Sequence, residues 1–88
     1  MENVLLRIPD HVVSREVGDE TVVLNLESGN YFGLNEVGAR IWSGLAAGVT
    51  PAEIRASIVT EFAVDQDVIA KDMEELVGKL LTSGLLER

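Results

Sequence analysis

His11 is the chain's single histidine, and a catalytic imidazole needs an orienting partner and a nucleophile within hydrogen-bond reach. It stands in Pro9-Asp10-His11, turn chemistry, and its neighbour Asp10 adjoins it in sequence without implying contact. A solvent-exposed turn residue is the expectation. The acids Asp65, Asp67, Asp72, Glu74 and Glu75 are the densest set of oxygen ligands. Asp65-x-Asp67 has the spacing that opens a calcium loop, but no Gly and no closing Glu follow at the required offsets. A helix cap and a solvated helix face explain these acids, and no metal is expected. Gly29, Gly33 and Gly38 do not build a phosphate loop, since no Lys-Ser/Thr follows and the glycines flank a strand pattern. No pairing of nucleophile and base is visible, and neither catalysis nor a cofactor is expected. The remaining chemistry is apolar recognition. Three of the four aromatics, Tyr31, Phe32 and Trp42, fall within twelve residues. Neighbouring side chains on a strand point to opposite faces, so Tyr31 and Phe32 cannot both enter one core.

The elements that carry these residues follow from changes of hydrophobic period. Val4 to Ile8 is an apolar run stopped by Pro9, an edge segment. Val12, Val13 and Val17 mark a short strand closed by a turn at Gly18-Asp19. Glu20 to Leu26 alternates, with Val22, Leu24 and Leu26 on one face. Glu27-Ser28-Gly29-Asn30 is turn chemistry, and a hairpin there sets Tyr31–Leu34 antiparallel to Val22–Leu26. The period then shifts from two to about 3.6 residues. Asn35 caps a first helix with Glu36 in its first turn, a buried stripe of Val37, Ile41, Trp42 and Leu45, and Gly48 at its end. Thr50-Pro51-Ala52-Glu53 is a capping box with Pro at the first helical position, opening a helix that buries Ile54, Ile58, Val59 and Phe62. Asp65 caps a third, longer helix with core positions Ile69, Met73, Leu76, Val77, Leu80 and Leu81, ending near Gly84. Leu85-Leu86 returns as a short extended piece. The expected fold is α+β and winged helix-turn-helix-like: a three-stranded antiparallel sheet followed by three helices, in one domain spanning residues 1–88.

Net charge narrows the partners. Fifteen acids against seven bases give −8, shared equally by residues 1–47 and 48–88. Most winged helices bind DNA through a basic recognition helix, whereas Asp65–Lys79 carries five acids and two lysines. Phosphate neutralisation supplies most nucleic-acid affinity, so no nucleic acid is expected. No apolar run approaches the ~18 residues that span a bilayer. With no signal peptide and no cysteine, a soluble cytoplasmic protein is the expectation. At 100° per residue the third helix leaves Val68, Asp72, Leu76 and Lys79 along one flank. If that flank faces the edge Tyr31–Leu34, the two form a groove one strand wide. An extended peptide could add to the sheet edge there, with acids on the rim favouring Lys or Arg. The same free edge would also allow a homodimer.

The run Gly29-Asn30-Tyr31-Phe32-Gly33-Leu34-Asn35, then Gly38, Ile41 and Trp42, resembles proteins related to coenzyme PQQ synthesis protein D. Thr50-Pro51-x-Glu53-Ile54 and Leu80-Leu81-x-x-Gly84-Leu85-Leu86 continue the pattern, so the resemblance covers residues 12 to 86. It implies a recognition element for ribosomally made, post-translationally modified peptides, which binds a precursor's leader as an added strand beside the third strand and against the third helix. Carried onto this chain, the implied peptide-binding residues are Tyr31, Phe32, Gly33 and Leu34 on the strand, with Val68, Ile69, Asp72, Leu76 and Lys79 on the helix; no family motif fixes the helix positions. Length and the run Leu-Asn-x-x-Gly-x-x-Ile-Trp resemble the free-standing members of lasso-peptide pathways, which work beside a separate leader peptidase. The alternatives are a peptide chaperone for a radical enzyme of the PQQ type, a winged-helix transcriptional regulator, and a structural subunit held permanently by an enzyme.

Overall fold

A computed structural model describes residues 6–88. Three strands, β1 (Val12–Val17), β2 (Glu20–Asn25) and β3 (Tyr31–Leu34), precede three helices, α1 (Glu36–Ala46), α2 (Pro51–Phe62) and α3 (Gln66–Thr82). The sheet is antiparallel in the order β1-β2-β3, which leaves β3 at an edge. The N-terminal edge segment lies partly outside the described residues. Within them Arg7 and Glu87 exchange backbone bonds of 2.7 and 2.8 Å, so the two terminal segments pair with each other. Leu85 and Leu86, beside that bridge, are buried in the core.

Each helix begins where local polar chemistry satisfies its unpaired N–H groups. Asn35 accepts from Gly38 N at 2.9 Å, Thr50 from Glu53 N at 3.3 Å, and Asp65 from Asp67 N at 2.8 Å. Buried positions then recur at helical spacing: Ile41, Trp42 and Leu45 on α1, Ile54 and Ile58 on α2, and Ile69, Met73, Val77 and Leu80 on α3. Val37, Val59, Phe62, Leu76 and Leu81, expected in the same stripes, are only partly buried at the margin of this core.

The strand β2 differs from its sequence reading in register, and the face shared by Val22 and Leu24 is the outer one. Its partners in β3 are Thr21↔Leu34 through Leu24↔Tyr31, displaced from the expected Val22–Leu26 pairing. Thr21, Val23 and Asn25 face the core, while Val22 and Leu24 are half-buried on the outer face and Leu26 is 60% exposed in the turn. Local and long-range hydrogen bonds together accommodate the inward Asn25. Asn25 Oδ1 accepts from Glu27 N and Ser28 N at 2.9 and 3.1 Å, and its Nδ2 donates to Gly84 O at 3.2 Å. One buried amide thus shapes the hairpin turn and ties it to the end of α3, and no buried side-chain polar atom among the described residues is left unpaired.

Gly44 sets how closely α1 and α2 approach. A Cβ there would lie 2.6 Å from Ile54 Cγ1, and Ile54 is itself buried. Gly44→Ala gains about 1 kcal/mol of helix propensity, but overpacking a filled core costs about 1–3 kcal/mol. A net destabilisation of up to about 2 kcal/mol is expected, read as a lower urea midpoint.

Candidate functional site

The backbone of β3 is half used. Asn25 N donates to Asn30 O at 2.8 Å, and Leu26 N donates to His11 O at 2.8 Å. In an antiparallel ladder bonded and non-bonded residues alternate, so Phe32 and Leu34 turn their N–H and C=O groups to β2. Tyr31 and Gly33 therefore present theirs to the open edge. Side chains alternate as well. Phe32 and Leu34 share the inner face with Val23 and Thr21, while Tyr31 stands on the outer face opposite Leu24 and is 75% exposed.

Beside this edge lies a groove of about 350 Å³. One wall is Phe32, Gly33 and Leu34 of β3, continued by Asn35, Val37, Gly38 and Ile41. The other is Val68, Ile69, Asp72, Leu76 and Lys79 of α3, with Val64 ahead of the helix. Val68 is 56% exposed although apolar, and Phe32 and Leu76 are half-buried. The lining is apolar with Asp72 and Lys79 as its charged members, which suits an extended chain carrying apolar side chains and few charges.

Of the nine residues singled out in the sequence, eight line this groove. The exception is Tyr31, whose side chain lies outside it while its backbone faces the open edge. Asn35, Val37, Gly38, Ile41 and Val64 complete the lining and were not singled out for it. Val64 carried a readable signal: it precedes the cap Asp65, with Ile69 at the fourth helical position, the spacing of a hydrophobic staple. Gly38 lets α1 lie against the end of β3, since a Cβ would come 3.3 Å from Leu34 Cβ.

The other candidates resolve into structural roles. His11 is half-buried rather than solvent-exposed, with Nδ1 3.5 Å from Glu27 Oε2 across two turns. Asp65 caps α3, and no group of His, Asp and Glu among the described residues is arranged to hold a metal ion. No helix among them is long and apolar enough to cross a membrane.

The sequence profile of coenzyme PQQ synthesis protein D matches residues 20–86. The chain belongs to this family. Two solved structures resemble it closely over nearly their whole length. TbiB1 in complex with the TbiA(beta) leader peptide is 43% identical, with a TM-score of 0.85 over 92% of this chain and 94% of that one. Lasso peptide synthetase B1 complexed with its leader peptide is 25% identical, with a TM-score of 0.87 over 97% of this chain and all of that one. The three-strand, three-helix order is thus that of the family fold. No curated protein matches this chain.

Proposed function

We propose that this protein is a non-catalytic adaptor that captures the leader of a ribosomal precursor peptide and presents it to a separate processing enzyme. The observation that carries this reading is the meeting of an unpaired strand edge, at Tyr31 and Gly33, with an apolar groove between β3 and α3. Two relatives of the same fold, each in complex with a leader peptide, support it. Residues 1–88 act in it as one peptide-binding domain in the cytoplasm. The leader adds as a fourth strand beside β3, so that backbone bonds give affinity and the groove sorts side chains. Phe32, Gly33, Leu34, Val68, Ile69 and Leu76 form its walls, Asp72 and Lys79 its charged rim, and Tyr31 contributes backbone only. Tethering raises the effective concentration of the scissile segment at a bound enzyme, most simply a lasso-pathway leader peptidase.

The test is fluorescence anisotropy with labelled leaders from short precursors encoded beside this chain's own gene. Saturable one-to-one binding, lost when the leader's apolar anchors become alanine, is expected. The absence of binding to every such leader would overturn the reading. Sedimentation of the free protein at the same concentrations establishes whether the open edge pairs with a second copy before the leader arrives.

A further inference from the structure

The outer face of the sheet is apolar where contact with water favours polar residues. An antiparallel sheet covered on one side commonly alternates apolar residues inward with polar ones outward. Here Val22 and Leu24 of β2 stand half-buried on the outer face. The register sets Leu24 between Val13 of β1 and Tyr31 of β3, so one apolar row crosses all three strands. Arg15, Val22 and Gly33 form the next row, and Val17 with Glu20 the last. Five large apolar side chains are exposed among the described residues. Val68 lines the groove, whereas Val13, Val17 and Tyr31 stand on this face and Leu26 follows at the end of β2. Scattered exposed apolar residues are ordinary, but a contiguous patch marks an interaction surface. Of the sheet's charged residues, alternation places only Arg15 and Glu20 here, so the face is neutral on a chain of −8.

Two observations bear on what covers it. A stable interface takes about 20–30 residues a side, and these three short rows fall far below that, so the face is too small to hold a permanent dimer. It is also continuous with the edge where the leader adds. A strand beside Tyr31 and Gly33 lengthens the rows and turns its alternate side chains outward onto this face. We propose that the processing enzyme docks here, across Val13, Leu24 and Tyr31 and onto the outward side chains of the bound leader, through an apolar surface that offers a carboxylate to Arg15. The proposal rests on the reading of the β3 edge as a leader site. The groove then holds one side of the leader and leaves the other to the enzyme, which meets a broader face on the loaded protein than on the empty one.

The experiment takes the protein with labelled leader bound, adds the purified processing enzyme encoded beside the same precursor, and follows the further rise in anisotropy. Val13→Lys and Arg15→Glu change the charge of the face in opposite directions, and neither residue lines the groove. Both variants should melt within a few degrees of wild type, hold the leader within a few-fold, and lose at least tenfold in affinity for the enzyme. Val17→Lys, whose ammonium would face Glu20 across the strands, replaces Val13→Lys if that variant melts early. No enzyme binding by the loaded wild type, or unchanged enzyme affinity in either folded variant, would overturn the proposal. So would a wild-type dimer in sedimentation that the β1 lysine variant dissociates, since the face would then belong to a second copy. Failure of wild type to hold any leader would overturn the leader reading instead, a distinguishable result.

Discussion

Val68→Asp is expected to abolish peptide capture while leaving the fold as stable as before. Val68 lines the groove yet is 56% exposed, so the free protein loses little buried area when it is replaced. It is the third residue of α3, in the first turn, where a carboxylate gains about 0.3–1 kcal/mol from the helix N-terminus. Asp72 lies one turn on, and like charges at that spacing oppose the gain by about 0.2–0.5 kcal/mol. The two terms nearly cancel. In the complex, by contrast, an unpaired carboxylate would be covered by an apolar peptide face, and burying an uncompensated polar group costs about 2–7 kcal/mol. Even the lower end is more than tenfold in affinity, and a loss of about 100-fold or more is the expected anisotropy result. Arg15→Glu, on the outer face of the far strand β1, changes net charge by more and should leave affinity within a few-fold. Should both substitutions weaken binding equally, general charge repulsion would be responsible and the groove would lose its role.

The parts of this fold governed by neighbours in sequence were legible there. Asn35, Thr50 and Asp65 cap helices through bonds to residues two or three positions on, so their signals are local. The flank Val68, Asp72, Leu76 and Lys79 follows from helical period alone, because side chains three and four apart share a face whatever packs against them. Which face of β2 meets the core was not legible. The Asn25 Oδ1 is satisfied by the next turn, but its Nδ2 needs the carbonyl of Gly84, 59 residues away, and no local pattern reports that bond. The same limit hid five of the thirteen residues that line the groove. Val37 and Ile41 read as core stripe; Ile41 is core and lines the groove as well, while Val37 is only partly buried at its margin.

Gly33→Pro separates strand addition from groove packing. Gly33 lies in the middle of β3, and the alternation of the ladder turns its N–H away from β2 toward the open edge. A proline there removes no bond of the free protein, and an edge strand admits proline where its N–H would face solvent. Space is available as well, since nothing lies within 4 Å of a Cβ at this position. The free protein should therefore fold, with a melting temperature within a few degrees of wild type. A peptide adding to the edge would lose the Gly33 donor and leave its own carbonyl unpaired, at about 1–3 kcal/mol, and the pyrrolidine ring would hold its backbone off. A fall in affinity of roughly 10- to 100-fold is expected, with the apolar anchor preferences unchanged. Gly33→Ala keeps the N–H and places its methyl on the outer face, so it should bind within a few-fold of wild type. If proline and alanine bind alike, the peptide lies in the groove without pairing to β3, and selectivity would rest on α3 and the flank of α1 alone. If proline alone fails, backbone pairing supplies the affinity, and the groove serves to choose among peptides that any open edge would otherwise accept.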